Sequence, residues 1–401
     1  MRQWIGTHQK ATGRELAESG YVAPHWPRPW GLEASTVEQL VIDEELRRAG
    51  VKRPFNPIGI GWAGPTLLHA GSTEQIDRYL PALLSGEEVW CQLFSEPGAG
   101  SDLAGLTTRA VPDGEGWVVS GQKVWTTYAH MARFGILLAR TDPSAPKHEG
   151  ISYFVCPMDA RGVTVRPIVD MTGGHAFNEV FLDGVHLGPE HLVGKPGQGW
   201  SLAKVTLSNE RVSLSGEGAL WGQGPTAEDL VSMVRNSGGA SDAIMRQRIA
   251  QVWGEGELLR LLRLRSVGAA LAGREPGPEA SISKAMADDH GKHVMDLAKD
   301  LAGARGMLGV EAKSAAGENV GAARGSRGKR PESTTWPEST TWPESTWSKG
   351  YLFSMALTIG GGTSEVQRNI VAERVLGLPH ELDPTAGQRG DEVSRPSPRQ
   401  T

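Results

Sequence analysis

A carboxylate beside a guanidinium, as in Asn209-Glu210-Arg211, is a pair of residues that could move a proton. In an apolar pocket a glutamate pKa rises toward neutrality, where the side chain can act as a general base. On a solvated helix the same pair is an ordinary ion pair, and Glu217, seven residues on and so near the same helix face, is a second candidate. Two other stretches offer polar groups of a different kind. Cys91-Gln-Leu-Phe-Ser-Glu-Pro-Gly-Ala-Gly-Ser-Asp-Leu-Ala-Gly105 and Gly121-Gln-Lys-Val-Trp-Thr-Thr127 read as turns leaving strands. Their hydroxyls and unpaired backbone N–H groups suit the polar edge of a ring and a phosphate, although a plain β-turn carries the same groups. Gly59-Ile-Gly-Trp-Ala-Gly64 spells the dinucleotide-binding fingerprint. That fingerprint needs a buried strand before it and a helix N-terminus after it. Here Lys52-Arg-Pro-Phe-Asn-Pro57 precedes it in a helical region, so the expected structure is a glycine-rich helix or helix junction packed closely beside a site. Cys91 and Cys156 lack metal-ligand spacing and read as buried small hydrophobes, with no metal site.

Elements must hold these groups. A chain of 401 residues is long for one core and should form two or three packed units. Its 39% hydrophobic and 22% charged residues are globular proportions, and no run approaches the ~20 apolar residues of a membrane span. The start has no apolar signal segment, which points to the cytoplasm. A net charge of -5 gives no general attraction to nucleic acid. Helical spacing runs from Thr36 to Arg48 (Val37, Leu40, Val41, Leu46), and Ser72-Thr-Glu-Gln opens a helix carrying Tyr79, Leu80, Leu83 and Leu84. After Trp90 come short β-rich runs at Trp117-Val-Val, Val124-Trp, Gly135 to Ala139, Ile151 to Val155 and Val163-Thr-Val. From Trp200 helices return, one with a stripe of Ile282, Ala285, Met286, His293, Val294, Leu297 and Leu301. The expected units are a helical domain over 1–90, a β domain over 91–198 and a helical domain over 199–380. Pro331-Glu-Ser-Thr-Thr-Trp recurs at Pro337 and, shortened, at Pro343. So short a Pro/Ser/Thr-rich period builds no solenoid, and 309–348 is expected to be a disordered insertion, as is the 381–401 tail.

The two turn segments resemble the flavin loops of the acyl-CoA dehydrogenases, and Gly197-Gln-Gly-Trp200, Asn209-Glu-Arg211 and Gly362-Thr-Ser-Glu-Val-Gln-Arg-Asn369 are similar to later pieces of that family. The resemblance runs from about Trp30 to Pro379. It implies an α+β fold with an N-terminal helical domain, a middle β-barrel and a C-terminal four-helix bundle. It also implies FAD, an acyl-CoA substrate dehydrogenated between its α and β carbons, and an electron-transfer flavoprotein as acceptor. On its terms Ser95 bonds the pyrimidine edge of the ring, Trp125 and Thr127 flank the ring near N5, and Gly100, Thr363 and Gln367 also contact the flavin. Ser101 lies near flavin or substrate phosphate, and Arg211 serves the substrate. The usual base of the family is a glutamate where this chain has Gly361; a minority carries the base in an earlier Glu-Arg pair, which Glu210-Arg211 matches. Glu210 is therefore the expected base, and Gly361 keeps the backbone N–H that polarises the thioester carbonyl. The missing side chain at Gly361 would leave room for a bulky, branched or steroidal acyl group. Relatives carry an Arg-x-x-Phe-Gly segment that reaches a neighbour's flavin diphosphate; here Gly222-Gln-Gly-Pro and Val234-Arg-Asn-Ser-Gly occupy that region, and the later glycine-rich turn is altered to Asp300-Leu-Ala-Gly-Ala-Arg-Gly306. A homo- or hetero-oligomer follows, with a second subunit, Arg235 or Arg305 completing the site. A flavin oxidase and a flavin-poor structural subunit are the rival functions.

Overall fold

The structure, a computed structural model, describes residues 1–8, 10–214, 218–237, 242–272, 277–303, 344–380 and 389. Glu217, Arg305, residues 309–343 of the expected insertion and all of the 381–401 tail but Arg389 lie outside the described residues. Arg389 bridges to Pro146.

Among the described residues five α-helices come first: α1 Arg2–Thr7, α2 Gly13–Glu18, α3 Thr36–Arg48, α4 Gly64–Ala70 and α5 Thr73–Ser85. The start of α5 is a capping box, in which Ser72 Oγ accepts from Gln75 N and Gln75 Oε1 accepts from Ser72 N. Tyr79, Leu80, Leu83 and Leu84 are all buried, as their spacing predicts. In α3 the expected span holds but the buried residues are Ile42 and Leu46, while Val37, Leu40 and Val41 stay 53%, 49% and 54% exposed. The Gly59 to Gly64 stretch is a π-turn, Gly59–Ala63, running straight into α4. Gly59 and Gly64 are packing residues, while the Cβ position of Gly61 is open. An ideal Cβ on Gly59 would sit 2.3 Å from the Asn56 amide. That amide bonds Leu83 O, Glu88 O, Gly59 N and Trp90 N, stapling the helices to the first strand.

The middle region is one eight-stranded sheet built from β1 Trp90–Leu93, β2 Arg109–Asp113, β3 Gly116–Lys123, β4 Phe134–Arg140, β5 Ile151–Pro157, β6 Val163–Ile168, β7 Phe177–Leu187 and β8 Leu192–Val193. The strand order is β6-β7-β3-β2-β4-β5-β8, with β1 parallel to β4 from Trp90↔Phe134 to Leu93↔Leu137. Strand β7 has no counterpart in the β-rich runs read above. Conversely, Val124-Trp125 lies past the end of β3, and Trp125 turns into the left-handed region at φ 59°. Cys91 and Cys156 are both free and buried.

Among the described residues six α-helices follow: α6 Gly199–Leu214, α7 Ala227–Ser237, α8 Ala243–Leu271, α9 Ala280–Ala302, α10 Glu344–Ser354 and α11 Ser364–Ile370. Helix α6 lies directly on the sheet, because Gly199 admits the β5 backbone: a Cβ there would meet Ile151 O at 2.7 Å. Buried hydroxyls join three parts of the chain, Thr66 Oγ1 to Thr206 Oγ1 at 2.8 Å and Tyr153 Oη to Thr206 Oγ1 at 3.0 Å. Helix α10 corrects the expected insertion. Residues 344–348 are folded, with Thr346 4% exposed and Trp347 packed on the C-terminal core. Leu357, Tyr351 and Phe353, which follow it, bury the same face, so the end of the third repeat copy belongs to the core. No helix among the described residues is long and apolar enough to cross a membrane.

Candidate active site

Glu210 sits in the last turns of α6 and is 7% exposed, the only charged residue that this helix buries. Burial pushes its carboxyl pKa up; a hydrogen bond from Gln92 and the charges of Arg211 and Lys284 pull the other way. Gln92 Nε2, on β1, donates to Glu210 Oε2 at 3.3 Å. Three residues further along α6, Ser213 Oγ accepts from Trp62 Nε1 at 2.9 Å, holding the end of the helix against the π-turn. The result is a desolvated, polarised carboxylate with a raised proton affinity, the requirement for a general base near neutral pH.

Facing Glu210 is a glycine loop, Gly360-Gly361-Gly362. Gly361 and Gly362 have φ of 68° and 91°, conformations that favour glycine. An ideal Cβ on Gly361 would lie 3.8 Å from Glu210 Oε1, 3.2 Å from Lys284 Cε and 2.5 Å from Leu214 Cδ1. The room expected at Gly361 is therefore not vacant, since Leu214 from the end of α6 already fills it. A side chain at this position meets both backbone strain and a clash. Gly361→Ala is expected to lose about 1–3 kcal/mol, read as a lowered denaturation midpoint against the parent protein; an unchanged midpoint would mean that the loop does not hold Gly361 in the left-handed region against Leu214. The loop is tied down at successive carbonyls. Lys284 Nζ donates to Gly360 O at 2.7 Å, and Gln367 Nε2 donates to Gly361 O and Gly362 O at 3.0 and 3.2 Å.

A buried ion pair organises the two turn segments. Lys123 Nζ, at the end of β3, bonds Glu96 Oε1 at 2.8 Å and Phe94 O at 3.0 Å, with side-chain exposures of 0% and 3% for the pair. Burial alone would raise the Glu96 carboxyl, but the Lys123 ammonium and the donors of Thr107 and Thr108 outweigh it and bring it down to about 2. Both Glu96 oxygens are filled: Oε2 by Thr107 N and Oγ1, Oε1 by Thr108 N as well as Lys123. Val124 N donates to Ser95 O at 2.9 Å, so the two segments touch directly. Arg140, buried on β4, clamps the far side of the first segment through Ala104 O, Leu106 O and Lys147 O.

The structure thus brings Glu210, Gly361 and Gln367 together at one corner, and joins Ser95 to the segment carrying Trp125 and Thr127. Thr363 caps α11 by accepting from Val366 N, and the Gln367 amide nitrogen is spent on the loop. Gly100 and Ser101 lie on an exposed turn, and Arg211 is half-buried beside Glu210. These surroundings fit a bound FAD. Trp125, large and apolar, is 60% exposed, a face that a planar ring would cover. Buried polar atoms without a partner in the structure fall beside the expected contacts: Thr126 Oγ1 between Trp125 and Thr127, and Ser364 Oγ and Gln367 Oε1 beside Thr363. Sequence reading missed Gln92, Glu96, Lys123, Leu214 and Lys284. Gln92, Glu96 and Lys123 carried a signal, lying inside the two segments already singled out; Leu214 and Lys284 carried none.

Comparison with known proteins follows the same division of the chain. Models of the acyl-CoA dehydrogenase N-terminal, middle and C-terminal domains match residues 2–87, 91–185 and 197–376. The chain is 40% identical over 364 residues to acyl-CoA dehydrogenase FadE34 of Mycobacterium tuberculosis, covering 91% of this chain but only 45% of that protein. It is 36% identical over 376 residues to acyl-CoA dehydrogenase IpdE1 of the same organism, covering 93% and 89% of the two chains. Among solved structures, the Tcur3481-Tcur3483 steroid ACAD superposes with a TM-score of 0.74 at 32% identity, covering 92% of this chain and 88% of that one.

Proposed function

The chain belongs to the acyl-CoA dehydrogenase family, and from that premise we propose that it is a FAD-dependent oxidoreductase that removes a proton and a hydride from adjacent carbons of an acyl-CoA thioester. One observation carries the reading. The family resemblance leaves Gly361 without the usual base, and the structure sets Glu210 Oε1 3.8 Å from the point where a Gly361 side chain would begin. A carboxylate delivered from α6 thus stands beside the loop position that lacks one.

In this reading Glu210 takes the α-proton. Its burial keeps water from competing, while Arg211, Lys284 and Gln92 keep enough of it ionised to act. The Gly361 N–H donates to the thioester carbonyl, which lowers the cost of the developing enolate charge. Bound FAD supplies the two-electron acceptor for the hydride. Ser95, Trp125 and Thr127 hold the ring, with Gly100, Ser101, Thr363 and Gln367 around it, and Ser101 and Arg211 serve the substrate. The support for a bulky or steroidal acyl group is the likeness to the steroid ACAD. The space at Gly361 adds none, because Leu214 fills it.

A partner subunit is part of the proposal. On α8, Trp253, Leu258, Leu261 and Leu264 are 47%, 52%, 52% and 54% exposed, and α3 next to it shows Val37, Leu40 and Val41. Exposed apolar surface of that extent marks an interaction face. The absent Arg-x-x-Phe-Gly segment means that a neighbour must reach the flavin diphosphate differently. Electrons are proposed to leave to an electron-transfer flavoprotein. The test is to purify the chain, alone and with whatever subunit copurifies, and to follow reoxidation after reduction by acyl-CoA. The reading expects FAD in the preparation and rapid reoxidation by an electron-transfer flavoprotein but slow reoxidation by air. Fast reoxidation by air alone would make the protein an oxidase. A preparation that stays colourless with added FAD, with or without a partner, would make it a structural subunit.

A further inference from the structure

Lys284 on α9 is fully buried, on the face of that helix that also buries Ser281, Asp288 and Gly291. A buried ammonium is costly unless each proton has a partner. All three do: Asp288 Oδ2 at 2.5 Å one turn along α9, Leu357 O at 2.9 Å and Gly360 O at 2.7 Å. Burial pushes the Asp288 carboxyl up to about 7 against the pull of Lys284. Two of the three bonds therefore leave the helix and reach the segment between α10 and α11 that ends in the glycine loop.

The second of these carbonyls matters most. Gly360 C=O and Gly361 N–H are the two ends of one peptide group, and a trans peptide is planar, with the carbonyl and the N–H pointing in opposite directions. Fixing the oxygen fixes the hydrogen. A cation bonded to the oxygen also draws charge through the amide and makes its N–H a stronger donor, the cooperative effect of a hydrogen-bond chain. Among the described residues no hydrogen bond engages the Gly361 N–H, and Gly361 stands beside Glu210. The next two carbonyls are held by the neutral Gln367 amide.

We infer that Lys284 is a positioning residue for the carbonyl-activating step: its ammonium orients and polarises the Gly360–Gly361 peptide, so that the Gly361 N–H meets the thioester oxygen as a strengthened donor. The inference rests on the dehydrogenase reading of the site above. Asp288 is the counter-ion of this ammonium, one turn along the same helix. The Lys284 stem, whose Cε lies 3.2 Å from an ideal Gly361 Cβ, adds to the crowding that a side chain at that position would meet.

The test uses the FAD-loaded protein, with its partner subunit if one copurifies, and a carbonyl-¹³C-labelled 3-thia analogue of whichever acyl-CoA bleaches the parent flavin fastest. With sulfur at the β position the analogue cannot give up a hydride, so its carbonyl stretch can be read at rest by isotope-edited infrared spectroscopy. In the parent protein the band should sit well below its frequency in water. In Lys284→Met the band should return most of the way to the solution frequency, and flavin reduction by the true substrate should slow by roughly 10- to 100-fold, with FAD content and analogue binding retained. Asp288→Asn keeps both carbonyl contacts but removes the counter-ion of the buried ammonium, and should return the band part of the way toward the solution frequency. If Lys284→Met does not fold, Lys284→Gln replaces it, with a neutral donor and an intermediate shift expected. A folded Lys284 variant with the parent's band and reduction rate overturns the inference. A parent protein that holds FAD yet is bleached by no acyl-CoA overturns instead the dehydrogenase reading on which it rests.

Discussion

Glu210→Gln should keep its FAD and its thermal midpoint yet reduce that FAD with acyl-CoA about 10²- to 10⁴-fold more slowly, the usual contribution of a positioned general base. The amide has the shape of the carboxylate, and the site tolerates a neutral group: Glu210 is 7% exposed and burial already disfavours its charge. Gln92 can still bond the remaining oxygen. Removing the carboxylate should thus cost chemistry and not stability. The same raised pKa sets the pH dependence. Rate should climb as pH rises through a value above the ordinary 4.5 of glutamate, since only the ionised form accepts a proton. That limb should vanish in Glu210→Gln. A variant that bleaches at the parent rate would move the base elsewhere, and Glu217 would be the next residue to replace.

Glu96→Gln should do the reverse, costing stability and cofactor at once. It leaves the fully buried Lys123 ammonium facing a neutral amide, and breaking a buried pair from one side typically costs about 3–5 kcal/mol. Glu96 also holds Thr107 and Thr108, so the first turn segment should loosen from the second and FAD should be lost on gel filtration. The pH dependence has a definite sign. A carboxyl lowered from 4.5 to about 2 in the fold contributes stability that is fully present above pH 4.5 and lost as pH falls toward 2. Denaturation midpoints across that window should fall more steeply for the parent than for Glu96→Gln, so that the two converge in acid. Parallel curves would show that Glu96 is not ionised by its surroundings in the way described.

What could be read from residues alone follows a physical divide. Local signals served well where the cause of structure is local: Ser72 and Gln75 cap α5 as a pair three apart must, and the Gly59 to Gly64 stretch failed as a nucleotide loop because no strand preceded it. The α9 stripe shows the limit. Val294 and Leu297 are buried as expected, but His293 faces solvent and the charged Lys284 and Asp288 take the interior. Apolar periodicity passes over a buried ion pair by construction, and the carbonyls that stabilise this one lie 73 and 76 residues away in sequence. Strand β7 was missed for a related reason, since Asn178, Glu179, Asp183 and Gly184 interrupt its apolar residues. The roles of Glu210 and Gly361 came from family resemblance, but nothing in either segment placed them face to face. Leu214 in the space beside them was not legible at all, and it removed the argument from vacant room.

Proton and hydride removal at this site is tested most directly by an anaerobic titration of the FAD-loaded protein, with its partner subunit where one copurifies, against straight-chain, branched and steroid side-chain acyl-CoAs. At least one of them should bleach the flavin band in a single turnover, with the α,β-unsaturated thioester appearing in step. A protein that holds its FAD and keeps its full colour against all three classes would not be the dehydrogenase proposed for it.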